Sequence, residues 1–214
     1  MFSSNIGEVF TIFFSLIIGL ESPLTAALIL TINLATDLLP ALALGVEPSE
    51  KDIMSKPPRS TTEKVMNKCM IKRIMGTGTL LVLIMLGLYL YKLLANGWTF
   101  GSNIPESLLV EISRIIFIAM VLIQVTNSFN AKSENNFIFK SNPFNNSKLI
   151  FANIISIIIA VVIVEIPFLQ NIFHTSSIQL LDWLIIIGAC IAFTIITELF
   201  KFISRKQNVE IFVE

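Results

Sequence analysis

Three clusters of polar residues interrupt otherwise apolar stretches of this 214-residue chain. Asn5 and Glu8 are spaced i, i+3. Asn33, Thr36 and Asp37 are spaced i, i+3, i+4. Gln124 and Asn127 are again i, i+3, with Asn130 following one turn on. On a helix each set lies along a single face. A lone amide in such a run most often serves as helix–helix glue. Two carboxylates with five amide or hydroxyl side chains, spread over three runs, point further. All offer oxygen, and a hard cation such as calcium takes about six to eight oxygen ligands. Glu8, Asn5, Asn33, Thr36, Asp37 and Gln124 form a set of that kind. Pro40 adds to it. Having no amide hydrogen, it cannot bond the Thr36 carbonyl four residues back. A free backbone oxygen is therefore expected beside the Asp37 carboxylate. Broken helices with freed carbonyls are a recurrent means of binding cations inside membranes.

The elements that must position these residues are long and apolar. Hydrophobic types make up 54% of the chain and charged types 14%, which excludes a disordered polar protein and argues against an ordinary soluble globule. Mean hydropathy is +0.80. The apolar runs predict an all-α fold, a polytopic membrane bundle of six transmembrane helices over 2–20, 24–44, 74–94, 108–129, 149–168 and 179–200. The first is read as a retained span, because no Lys or Arg precedes Lys51 to form a signal-peptide n-region.

Basic residues set the orientation. They concentrate in the loop 45–73 (Lys51, Lys56, Arg59, Lys64, Lys68, Lys72, Arg73), in the loop 130–148 (Lys132, Lys140, Lys148) and in the tail (Lys201, Arg205, Lys206). The connections 95–107 and 169–178 hold none. The positive-inside rule then places both loops and both termini in the cytoplasm. Trp98 and Trp183 fall at the opposite ends, as interfacial anchors do. Net charge is zero, so no global field points to nucleic acid. Two cysteines, Cys69 in a basic loop and Cys190 in an apolar run, do not suggest a disulfide. Glu111, Glu165, Asp182 and Glu198 lie near span ends, within reach of water or headgroups. Arg114 is expected to pair with Glu111 three residues earlier. The segment 45–60, with its tandem Pro57-Pro58, reads as a semi-rigid connector or a docking surface.

The stretch from Ile32 to Gly45, Ile-Asn-Leu-Ala-Thr-Asp-Leu-Leu-Pro-Ala-Leu-Ala-Leu-Gly, resembles the sixth transmembrane helix of P-type cation-transporting ATPases. Lys56-Pro57-Pro58-Arg59 resembles the loop after it. Ser4-Asn5-Ile6-Gly7-Glu8-Val9 is similar to the fifth helix, and Gln124 to Asn130 to the eighth. Pro167-Phe168-Leu169-Gln170 and Asp182-Trp183 match the ninth-to-tenth helix region. The resemblance covers essentially the whole chain, 1–214, as a C-terminal transmembrane domain. It implies cation-ligand roles for Asn5, Glu8, Asn33, Thr36, Asp37 and Gln124. Glu8 and Asn33 look more like the calcium-pump type. Gln124 departs from an acidic residue of animal reticulum-type calcium pumps, and Leu38 stands where a Gly is frequent.

No Asp-Lys-Thr-Gly-Thr phosphorylation motif and no Thr-Gly-Glu occurs in these 214 residues. The resemblance thus implies the cation-binding and support helices of an ATP-driven calcium pump. ATP and Mg2+ would belong to domains outside these residues, and Met1 reads as an internal cut. Expected partners are the lipid bilayer, the remaining helices and the cytoplasmic domains of the ATPase. The expected location is a bacterial plasma membrane. The alternative is a stand-alone, non-catalytic membrane subunit of an ATPase.

Overall fold

The fold is that of a computed structural model, which describes residues 2–47, 66, 68–132 and 145–211, with no side-chain detail for 68, 69 and 204–211. Among the described residues, eight α-helices and one π-helical segment follow in order. They are α1 (Phe2–Ile17), α2 (Ala26–Thr31), the π segment (Ile32–Asp37), α3 (Leu38–Gly45), α4 (Lys68–Ala95), α5 (Glu106–Ala131), α6 (Ser147–Glu165), α7 (Pro167–Phe173) and α8 (Leu180–Ile211). No strand occurs among the described residues. The architecture is a helical membrane bundle. Five of its helical stretches are long and apolar enough to cross a bilayer, and α1 is a shorter apolar helix.

The boundaries differ from the apolar runs for local reasons. α1 stops at Ile17 rather than 20, because Gly19 takes φ +84° and the amides of Gly19 and Leu20 turn back to the carbonyls of Leu16 and Ser15. That is a Schellman stop, closed by the buried Leu20. The span read as 149–168 ends at Glu165. Ile166 is extended, as a residue before proline prefers, and Pro167 opens α7. α8 runs past 200 to Ile211, and α4 starts at Lys68, inside the expected loop 45–73. Most of that loop, including Lys56-Pro57-Pro58-Arg59, lies outside the described residues, as does most of 130–148.

The second span is one 20-residue stretch, Ala26–Gly45, broken by the π segment. Thr25 caps its start, accepting from the Leu28 amide at 3.3 Å. A regular helix through Pro40 would lose a hydrogen bond and clash with the preceding turn. Just before the proline the chain widens over Ile32–Asp37 and restarts at Leu38. Pro40 then falls in the first turn of α3, where a missing amide hydrogen costs that helix nothing.

α5 is the central post of the bundle, and its Ile112, Ile116, Phe117, Ala119 and Met120 are almost completely buried. α1 lies against α4 at close range, with Gly7 facing Leu81 and Gly78 facing Ile6 and the Ser3 carbonyl. The Tyr89 hydroxyl donates to the Glu21 carbonyl (3.0 Å), joining α4 to the α1–α2 connection. Leu30, Leu34, Leu38 and Leu42 form an outward i, i+4 stripe on the broken span.

Candidate cation site

Glu8 sits where α1, the π segment and α5 meet, 2% exposed. One of its carboxylate oxygens accepts from Asn33 Nδ2 at 2.8 Å, and the other from Gln124 Nε2 at 3.2 Å. Side chains 25 and 116 residues away thus converge on one carboxylate. Gln124 Oε1 is buried and has no hydrogen-bond partner among the described residues. An orphaned buried acceptor is uncommon and calls for an explanation. Asn33 also donates to the Ile29 carbonyl (3.0 Å), one turn back. Asn5 is exposed, yet it shares with Glu8 and Asn33 a groove of about 290 Å³ completed by Val9, Ile12 and Ile29.

Thr36 and Asp37 are buried on the turn following Asn33, and among the described residues neither bonds to Glu8. Thr36 Oγ1 donates to the Ile32 carbonyl (2.8 Å) within its own segment. Asp37 occupies the N-cap position of α3, but its carboxylate does not cap that helix. The structure therefore joins Glu8, Asn33 and Gln124 directly, lines Asn5 up on the groove, and sets Thr36 and Asp37 beside them. The Thr36 carbonyl is not free as expected: Ser156 Oγ of α6 donates to it at 2.8 Å. Sequence reasoning passed over Ser156, although Asn153 and Ser156 form one more i, i+3 polar pair in an apolar run.

The remaining polar residues of the third cluster serve other contacts. Asn127 donates to Ser3 Oγ at 3.3 Å. Asn130 donates to Thr197 Oγ1 (3.1 Å) and accepts from Lys201 on α8, which also pairs with Glu198 (3.0 Å). At the same end, Glu47 just beyond α3 pairs with the buried ammonium of Lys132 (3.2 Å). Asn146, the α6 N-cap, donates to Glu47 and to the Ala43 carbonyl (3.0 Å).

The other end of the bundle holds an ionic knot. Asp182 does not reach headgroups. It is 1% exposed and bridges Lys92 of α4 (2.9 Å) and Arg114 of α5 (2.8 Å). Asp182, not Glu111 at 3.9 Å, is thus the main partner of Arg114. The guanidinium also donates to Ser176 Oγ and to the Ser177 carbonyl. A buried charge without a partner is costly, and here each buried charge is matched by one of opposite sign.

Comparison with known proteins shows which family the chain belongs to. The chain is 30% identical over 211 residues to "Calcium-transporting ATPase 1" of Bacillus cereus, covering 96% of this chain and 24% of that protein. It is 35% identical over 188 residues to "Calcium-transporting ATPase" of Bacillus subtilis, covering 88% of this chain and 20% of that protein. It is 27% identical over 216 residues to "Calcium-transporting ATPase type 2C member 2" of Mus musculus, covering 99% and 22%. The chain thus spans about a quarter or less of the length of these relatives. Residues 21–203, from the α1–α2 connection into α8, match the family described as "Cation transporting ATPase, C-terminus", and the chain belongs to that family.

Proposed function

We propose that this chain supplies the membrane-embedded cation-binding and support helices of an ATP-driven calcium pump. The observation that carries the reading is Glu8, buried between the amides of Asn33 and Gln124, with the Gln124 oxygen unpartnered among the described residues. Each amide carries an acceptor oxygen beside its donor nitrogen. A half-turn of either side chain replaces an N–H on Glu8 with an oxygen for a cation. Glu8 and Asp37 supply charge, and Asn5, Asn33, Thr36 and Gln124 supply neutral oxygen. Calcium is favoured because it prefers such oxygen-only shells and because the similar proteins are named as calcium transporters.

ATP and Mg2+ belong to other parts of the pump. The remaining helices would pack on the open side of the Asn5–Glu8–Asn33 groove. The loop 45–60 would meet a cytoplasmic domain. The basic loops and the tail would face the cytoplasm of a bacterial cell.

The test is calcium binding by the full-length pump in membranes. Glu8→Gln and Asp37→Asn are each expected to weaken calcium binding, and calcium-dependent phosphorylation with it, by at least about tenfold, the equivalent of about 1.4 kcal/mol. If both variants bound calcium like the unaltered pump, the site would be misplaced.

A further inference from the structure

α6 contributes none of the six candidate ligands, yet it packs on the π segment that carries three of them and hydrogen-bonds to it. Ser156, completely buried, points its hydroxyl at the carbonyl of Thr36, 2.8 Å away. Its oxygen also lies 3.0 Å from the Ala152 carbonyl of its own helix. A serine has one proton to give. In a regular α6 the Ala152 carbonyl already receives the Ser156 amide. The Thr36 carbonyl is the needier acceptor, because its α-helical donor would be the amide of residue 40, and Pro40 has none. A buried carbonyl left unpaired would be costly.

The position of that carbonyl matters because the peptide unit is planar. Holding the Thr36 oxygen restrains the plane joining Thr36 to Asp37, and with it the N–Cα bond from which the Asp37 side chain is set. α6 is itself held in register. Asn153 donates to Ser128 Oγ of α5 at 2.9 Å, and Asn146 reaches the Ala43 carbonyl at the far end of α3.

We infer that Ser156 is a positioning residue of the cation site, acting on Asp37 through the Thr36 carbonyl that Pro40 leaves without its helical donor. The inference rests on the calcium-site reading above and adds a residue from a fourth element to it. It also assigns Pro40 and Ser156 complementary roles. The proline withdraws a donor supplied along the helix, and the serine returns one from across it.

The experiment measures calcium affinity of the full-length pump in membranes, with Asp37→Asn as the control for the site. Ser156→Ala is expected to lower affinity about three- to tenfold, the range of one hydrogen bond. Ser156→Thr keeps the hydroxyl and is expected to stay within about twofold of the unaltered pump, within the scatter of a site that retains its bond. In a Pro40→Ala background, where residue 40 regains an amide hydrogen, Ser156→Ala is expected to have a much smaller effect. A purely packing role would not depend on residue 40. Should Ser156→Ala fail to reach the membrane, Ser156→Cys replaces it, being of similar volume but a weak donor.

Three results would overturn the inference. They are unchanged affinity in Ser156→Ala, equal losses in the alanine and threonine variants, or a loss from Ser156→Ala that is the same whether or not Pro40 has been replaced. If Asp37→Asn itself left affinity unchanged, the calcium-site reading would fail, and the inference with it. Loss in Asp37→Asn with none in Ser156→Ala removes the inference alone.

Discussion

A buried carboxylate held between two cations is asymmetric in what its loss costs. Asp182 meets both Lys92 and Arg114, and neither cation can readily turn to water, being 13% and 4% exposed at the side chain. Asp182→Asn is therefore expected to destabilise the bundle by about 3–5 kcal/mol, the usual penalty for removing one partner of a buried ion pair, since the half-exposed Glu111 is then the only carboxylate left beside the two cations among the described residues. Glu111→Gln, with a side chain 36% exposed, 3.5 Å from Lys92 and 3.9 Å from Arg114, should change stability by less than about 1 kcal/mol. Unfolding of the two variants in detergent micelles compares them directly; equal losses would contradict the knot. The sequence made Asp182 look like a span-end acid, because it lies near the start of its apolar run. Its partners come from helices 90 and 68 residues away in sequence, and periodicity within one helix carries no sign of them. Glu8 was easier to read, since an acid in an apolar run is conspicuous whatever surrounds it.

At the scale of elements, five of the six apolar runs were legible as spans because hydrocarbon thickness imposes a length on each, whereas the first, α1, is a shorter apolar helix. The break near Pro40 was legible too, from the missing donor. The form of the break was not: widening over six residues upstream of the proline depends on how the turn packs against α6 and α5, which no local pattern records. The α1–α4 contact was equally hidden. It depends on small residues, and a Cβ at Gly78 would come within 2.8 Å of Ile6 Cγ2 and 3.2 Å of the Ser3 carbonyl. In a bilayer, where apolar surface does not drive helices together, such close approach is a main source of association. Gly78→Val is expected to force the helices apart and cost about 1–3 kcal/mol, as overpacking does. Gly76→Ala meets nothing within 4 Å and should be neutral or slightly stabilising, by up to about 1 kcal/mol from helix propensity. Thermal unfolding of the purified bundle separates the two, and a large loss for Gly76→Ala would count against the packing described.

For the molecule as a whole, orientation is the property most open to a simple test. The charge-poor connection containing the exposed Asn103 and the segment containing the exposed Ser147 should lie on opposite sides of the membrane. With Cys69 and Cys190 replaced by serine, Asn103→Cys is expected to react with an impermeant maleimide in intact cells. Ser147→Cys should react only after permeabilisation. The reverse pattern would invert the bundle and place both basic loops outside.

Mechanically, α3 is a rod of eight residues, about 12 Å long, secured at both ends. Near one end Ser156 grips the turn carrying Asp37; at the other, Asn146 and Lys132 grip Glu47 and the last turn. Both Ser156 and Asn146 project from the α6 side, so rod and strut form one lever. A tug on the chain beyond Glu47 would not simply stretch the connection there. It would swing the lever, and the compliance would fall on the wide π turn, which carries Asn33, Thr36 and Asp37, three of the ligands proposed above.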